Sequence, residues 1–141
     1  MPVKQWKQLQ QGEPVTLADG TVATRDMVTG PARPGISLLY ATDTRPVDAI
    51  ARLGRGTDLM LLEGMYGSDD KRQQALKNHH MLFSEAAALA REAGTKRLLL
   101  THFSNSEEDP EQDIDTARQS FADTAPASDL LTLTLDYPPE V

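Results

Sequence analysis

The sequence contains no cysteine among its 141 residues. This absence excludes a disulfide-stabilised scaffold, a zinc site built from thiolates and a cysteine nucleophile. The sequence also lacks any apolar run that approaches the roughly 18 residues of a membrane-spanning helix, and it shows no signal peptide at its start. From these absences we expect a soluble, cytoplasmic protein with no membrane partner.

A broad basic surface is also missing. The formal net charge is −7, from 14 Lys plus Arg and 21 Asp plus Glu. Seven of the acids and a single arginine lie within residues 107–123, and the simplest interpretation of that segment is a solvated helix face. The charge pattern argues against an extended nucleic-acid-binding face, although it leaves room for a local phosphate site.

The length is that of one ordinary domain. We therefore expect residues 1–141 to form a single domain, with a β-hairpin region at residues 13–24 near its beginning. The hairpin is predicted because Asp19-Gly20 stands between two short β-rich runs.

From residue 36 onward, apolar runs alternate with helical patterns. Apolar runs without polar alternation are typical of strands covered on both faces, and their alternation with helices predicts an α/β fold. A further run, in which leucines alternate with threonines, predicts a half-buried strand. The predicted helices cover 3–11, 46–53, 69–77, 81–93 and 112–121, and the predicted strands cover 36–41, 58–62, 97–100 and 130–135.

Residues whose side chains can act in acid–base catalysis or metal binding lie at the ends of the first three of these strands. They are Asp43, Glu63 and His102, and a fourth candidate, His80, precedes the long helix. Ligands gather at the carboxyl ends of strands in open α/β sheets, so we predict that the four side chains converge at one rim. Each residue also has a purely structural interpretation, and spacing alone leaves both open. These are a helix cap for Asp43, a partly exposed strand-end acid for Glu63, a loop or cap residue for His80 and a packed histidine for His102.

The segments around these residues resemble the ribonuclease Z family. The similar segments are residues 41–46 (Ala-Thr-Asp-Thr-Arg-Pro), Leu62-Glu63, His80-Met81 and residues 98–104 (Leu-Leu-Leu-Thr-His-Phe-Ser). The similarity extends over almost the whole chain and corresponds to the C-terminal half of these metallo-β-lactamase-fold endonucleases, which mature tRNA 3′ ends. It implies an α/β fold, namely half of an αββα sandwich with one mixed sheet and helices on one face.

The resemblance also implies a role for each of the four residues. Asp43 resembles the carboxylate that bridges two zinc ions, and His102 resembles a histidine ligand of the second zinc. His80 resembles the catalytic histidine that contacts the scissile phosphate, and Glu63 resembles the acid associated with that histidine. A bridging carboxylate holds two cations about 3.5–4 Å apart, where they generate a hydroxide and stabilise the attacking and leaving oxygens.

One family motif is absent from the sequence. The metal loop His-x-His-x-Asp-His, which belongs to the N-terminal half of the family, does not occur. Catalytic zinc usually takes about three protein ligands per ion, so Asp43 and His102 are too few for a zinc pair.

We therefore expect half of an enzyme for precursor tRNA, inactive alone. We expect its uncovered sheet face to bind either the missing N-terminal half or a second copy in a homodimer. The alternatives are another metallo-β-lactamase-fold hydrolase and a non-catalytic assembly module.

Overall fold

The structure, a computed structural model, describes residues 2–30 and 35–137. The chain divides into two compact units, residues 1–34 and residues 35–141. A single domain over residues 1–141 therefore stays a prediction, and each unit is described by itself.

The first unit contains a helix and a hairpin. Its elements are α1 (Val3–Gln10), β1 (Val15–Thr16) and β2 (Val22–Ala23), with a 3₁₀ turn at Arg25–Met27. The two strands are antiparallel, which confirms the predicted hairpin. In its turn the Asp19 carboxylate accepts a hydrogen bond of 2.9 Å from the Thr21 N–H, and this bond lowers the pKa of Asp19. Leu9, Val15 and Ala23 form a small buried core.

The second unit is a parallel sheet with helices. Its elements are β3 (Leu38–Ala41), α2 (Asp48–Leu53), β4 (Leu59–Glu63), α3 (Arg72–Asn78), α4 (Phe83–Ala93), β5 (Leu98–Thr101), α5 (Ile114–Arg118) and β6 (Thr124–Pro126). The strands lie in the order β3-β4-β5-β6, and all three pairs are parallel. The α/β class is confirmed, and within the described residues the sheet is parallel rather than mixed.

The main core lies between one face of this sheet and the helices. Met60 and Leu62 of β4 and Leu98 and Leu100 of β5 are fully buried on that face. They pack with residues of α2, α4 and α5 in one cluster: Ile50, Ala86, Ala87, Ala90, Ile114 and Ala117. Each fully buried leucine contributes roughly 1.5–3 kcal/mol of transfer free energy. The alanines leave room for α4 to lie close to the strands.

The other face of the sheet is exposed only towards one edge. Leu38 and Tyr40 of the edge strand β3 are 54% and 61% exposed, whereas Leu59 and Leu99 of the central strands are 5% and 8% exposed. The apolar surface that the sequence leads us to expect on this face is therefore concentrated at β3.

The predicted strand over residues 130–135 is wrong. Leu130 is fully exposed, Leu131 is half exposed, and no strand forms there. Alternation describes a surface with one apolar face, but a strand also needs a neighbour, and this segment pairs with none in the described chain. The fourth strand is instead β6, whose three residues include Pro126. Proline is tolerated because β6 lies at the sheet edge, and no apolar pattern marks so short a strand.

The helix predictions agree with the structure apart from their ends. α2 begins at Asp48, two residues after the predicted start, and α5 is shorter than the predicted 112–121. The predicted helix over 69–77 is a 3₁₀ turn followed by α3. None of the helices in the described ranges combines the length and apolar character needed to cross a bilayer.

Asp58 connects three segments at the amino end of the sheet. One carboxylate oxygen accepts hydrogen bonds from the backbone N–H of Ser37 (2.8 Å) and from its hydroxyl (3.1 Å). The other oxygen lies 2.6 Å from the Lys96 ammonium group. Lys96, followed by the Ser37 N–H, lowers the pKa of Asp58 from its ordinary value of 3.8 to about 2.

This lowered pKa predicts a pH-dependent contribution to stability. A carboxyl whose pKa is depressed in the folded state stabilises the protein above its unfolded pKa, and the contribution disappears as pH falls through the folded pKa. We expect Asp58→Asn to lower the urea midpoint at pH 5–7, with the difference shrinking as pH falls from about 4 to about 2. The exposed Asp129→Asn is the control, and a difference that is independent of pH would contradict the assignment.

Candidate active site

Four side chains singled out in the sequence lie at the carboxyl edge of the sheet. Asp43 follows β3 by two residues, Glu63 is the last residue of β4, and His102 directly follows β5. His80 belongs to the segment between α3 and α4. Since β3, β4 and β5 are adjacent and parallel, their carboxyl ends share one edge of the sheet. The connection between β4 and β5 brings His80 back to the same edge, beside Glu63.

The carboxylate of Glu63 is the centre of this arrangement. Its side chain is fully buried. One oxygen accepts a hydrogen bond from the backbone N–H of Thr44, and the other accepts one from the N–H of Met81 at 3.2 Å. The second oxygen also lies 2.9 Å from His80 Nδ1. Because it is fully buried, Glu63 is not a partly exposed strand-end acid. Its hydrogen bonds join the segment after β3 to the segment before α4.

Glu63, His80, His102 and Asp43 lie in a row that runs from the buried Glu63 to solvent-exposed Asp43. The rings of His80 and His102 lie with their centroids 5.3 Å apart, and His102 Nδ1 lies 3.0 Å from an Asp43 oxygen. Side-chain exposure rises along the row: 0% for Glu63, 20% for His80, 38% for His102 and 66% for Asp43. Each ring has Nδ1 against a carboxylate, so each Nε2 is left for other chemistry.

The backbone at Asp43 and His102 adopts a conformation that non-glycine residues rarely occupy. Both residues have φ 57°, in the left-handed region. Such conformations cost roughly 1–3 kcal/mol each and cluster at functional sites. Asp43 does not cap α2, because the residue before that helix is Val47. The exposure of His102 likewise does not fit a packed core histidine.

Close packing behind the site depends on Gly64, the residue after Glu63. A Cβ atom at Gly64 would lie 2.7 Å from the ring of Phe83, which is fully buried and stacks edge-on against Phe103. The N–H of Met65 then donates to the carbonyl of Met81 at 3.0 Å. The chain leaving β4 is thus fixed against the segment that carries His80.

The side chains at this edge include the kinds of ligand that zinc takes. Glu63, His80 and His102 offer ligand atoms within 4.8 Å of one another, and imidazole and carboxylate are suitable zinc ligands. Both oxygens of Glu63 already accept hydrogen bonds, so Glu63 orients a histidine better than it binds an ion. Among the described residues, the two Nε2 atoms and the second carboxylate oxygen of Asp43 make no hydrogen bond.

Two charged residues beside the site, Arg45 and Glu85, were not among the predicted site residues. The Arg45 guanidinium contacts Glu85 with both terminal nitrogens, at 2.7 and 2.6 Å. Glu85 also accepts a hydrogen bond from the N–H of Leu82, the N-cap residue of α4, at 3.0 Å. A signal for Glu85 was present, because a glutamate three residues after a helix N-cap occupies the capping-box position. Arg45 lies within the similar segment 41–46, but the sequence assigned it no role.

The chain matches one protein family and several curated relatives. Residues 27–103 match the family described as "Beta-lactamase superfamily domain". The ribonuclease Z of Lachnoclostridium phytofermentans is 42% identical over 97% of this chain and 45% of its own length. That of Clostridium acetobutylicum is 42% identical over 92% of this chain and 41% of its own length. The chain thus spans about half the length of the curated relatives it matches.

Solved structures share the fold. Human tRNase Z, short form, superposes with a TM-score of 0.58 at 21% identity, covering 82% of this chain and 37% of that one. A metallo-β-lactamase fold protein from Bacillus subtilis superposes with a TM-score of 0.57 at 19% identity, covering 89% of this chain and 58% of that one. At these identities the similarity establishes the fold alone.

The buried carboxylate of Glu63 makes a direct prediction about stability. In Glu63→Gln, an amide nitrogen would face N–H donors where an oxygen now accepts them, so one buried hydrogen bond is lost. We expect the free energy of unfolding to fall by about 1–3 kcal/mol, measured by urea denaturation. Glu92→Gln, at an exposed position of α4, should change it little. Equal stability of the two variants would contradict the role given to Glu63.

Proposed function

This chain belongs to the beta-lactamase superfamily, and from that premise we propose that it forms part of a zinc-dependent ribonuclease Z that removes the 3′ trailer of precursor tRNA. The identity of about 42% with two proteins named ribonuclease Z supports the choice within the superfamily. The observation that carries the proposal is the row of Glu63, His80, His102 and Asp43 at one edge of the sheet. A cytoplasmic location is part of the same proposal.

In this proposal Asp43 and His102 are metal ligands. Both are side chains on the open side of the row, and both have the left-handed backbone that is typical of functional positions. Zinc, when bound, supplies an activated water and stabilises charge on the phosphate oxygens. The 3.0 Å contact between Asp43 and His102 keeps the two donors together at the edge of the sheet.

His80 is the proposed catalytic histidine, and Glu63 is the residue that orients it. The contact of His80 Nδ1 with a fully buried carboxylate fixes the ring, because Glu63 itself is held by two backbone N–H groups. His80 Nε2 is then the nitrogen available to contact the scissile phosphate and to pass a proton to the leaving oxygen. A histidine held in this way suits general acid catalysis.

The remaining metal ligands must come from outside this sequence. We propose that they are supplied by the part of the ribonuclease Z length that this chain does not span, bound over the sheet face at β3. The exposure of Leu38 and Tyr40 supports this surface, because apolar side chains of one strand face are left uncovered there. A second copy of this chain is the competing occupant.

A titration of the isolated chain tests how many ligands are missing. With Asp43 and His102 as the metal ligands, we expect no tight, stoichiometric zinc binding by calorimetry. We also expect no cleavage of a precursor tRNA that carries a 3′ trailer. Tight binding of one or two ions by the isolated chain would show that it contains ligands beyond those described.

A chimera tests the proposed function itself. This chain replaces the matching segment of the Lachnoclostridium phytofermentans relative, and cleavage of the same precursor is measured with zinc. We expect activity that falls by at least about 100-fold in His80→Ala and in Asp43→Ala. The exposed Asp109→Ala is the control. A folded, zinc-loaded chimera without activity would contradict the proposal and favour the non-catalytic assembly module.

Sedimentation velocity tests the assembly surface. If β3 is the surface that associates, Leu38→Lys and Tyr40→Lys should weaken either self-association of the chain or its binding to the remaining segment of the relative. Leu53→Lys is a matched control, because Leu53 is an apolar residue of α2 that is 68% exposed. A stable monomer whose binding to that segment is unaffected by either β3 variant would exclude this surface.

A further inference from the structure

Arg45 connects the backbone of His80 to the start of α4. Its Nη1 donates to the carbonyl oxygen of His80 at 2.5 Å and to Glu85 Oε2 at 2.7 Å, while its Nη2 donates to Glu85 Oε1 at 2.6 Å. The side chain is only 23% exposed. A guanidinium that binds both oxygens of one carboxylate has its plane and position defined by that carboxylate.

Glu85 is a fixed anchor for this guanidinium. It is 13% exposed and lies in the first turn of α4, where its Oε2 also accepts the N–H of Leu82. Its Oε1 also accepts a hydrogen bond of 3.1 Å from Arg72 Nη1. Because Glu85 lies in the helix and is held by the N–H of Leu82, Arg45 has little freedom to move relative to α4.

Arg45 and its neighbour Thr44 fix two different parts of the His80–Glu63 pair. The N–H of Thr44 donates to the Glu63 carboxylate, and the side chain of Arg45 donates to the His80 carbonyl. The N–H of His80 donates to the carbonyl of Ala75 at 3.0 Å. His80 is therefore held by its ring, its N–H and its carbonyl, and the contact to the carbonyl is the one that Arg45 makes.

We propose that Arg45 is a positioning residue for His80, acting through the backbone carbonyl of His80 and anchored by Glu85. The catalytic consequence rests on the proposed function, whereas the effect on the ring of His80 does not. Loss of Arg45 frees the carbonyl, so the ring loses its defined geometry against Glu63.

Nuclear magnetic resonance of the full chain tests the geometry without substrate or metal. The imidazole ¹⁵N and ¹³C signals of His80, assigned with His80→Gln, are compared at one fixed pH in Arg45→Gln, Arg45→Lys and Arg72→Gln. Arg72 contacts the same carboxylate but not His80, so its variant removes an ion pair and leaves the proposed restraint. Urea denaturation of each variant confirms that it is folded.

We expect Arg45→Gln to shift and broaden the His80 signals and Arg72→Gln to leave them in place. Arg45→Lys keeps the charge but cannot span both oxygens of Glu85 and the carbonyl, so it should not restore the signals. His80 signals that are unchanged in folded Arg45→Gln, or equally changed in Arg72→Gln, would overturn the proposal.

Kinetics of the chimera separate this inference from the proposed function. Misplacement of a catalytic group by about 1 Å can cost on the order of 100-fold in rate. We expect Arg45→Gln to lower kcat by about 10- to 100-fold with KM little changed, and Arg72→Gln to leave kcat within about twofold. An active chimera in which Arg45→Gln keeps full kcat would refute the positioning role. Shifted His80 signals with an inactive chimera would refute only the proposed function.

Discussion

The arrangement of the site depends on one buried carboxylate. Glu63 is fully buried at the end of a central strand, and an unpaired charge in that position would cost several kcal/mol. Backbone N–H groups of Thr44 and Met81 and the ring of His80 satisfy it. These donors belong to separate segments, so the need to solvate Glu63 fixes where the chain runs after β3 and before α4.

The features that could be predicted from the sequence are those that a run of neighbouring residues signals. Apolar runs indicated β3, β4 and β5, and the residues after them indicated the edge at which Asp43 and His102 lie. β6 was not predicted because a strand of three residues that includes a proline shows no periodicity. The alternation over 130–135 was misleading because, in the described part of the chain, no strand pairs with that segment. Arg45 was missed for another reason. Its partners are a backbone carbonyl and a carboxylate 40 positions away, and neither contact depends on a local pattern.

The side chains at the carboxyl edge of the sheet fix one another's orientation through direct contacts. Two imidazoles each have Nδ1 against a carboxylate, which defines the ring positions before any ion or substrate arrives. The two faces of the sheet also differ. Helices pack against one face, whereas the other face is open at the edge strand β3. The row of site residues and the open β3 edge therefore occur in the same unit of the chain.

The order of strands in the sheet is the order of strands in the chain. Each new strand pairs with the one synthesised just before it, so this unit can grow in one direction as it leaves the ribosome, at about 5–20 residues per second. β3 is the first of these strands to emerge and, in the part of the chain described, never gains a second neighbour. Its Leu38 and Tyr40 side chains are exposed at this edge of the sheet. Because open edge strands are general sites of aggregation, any chain that paired with β3 would also remove this hazard.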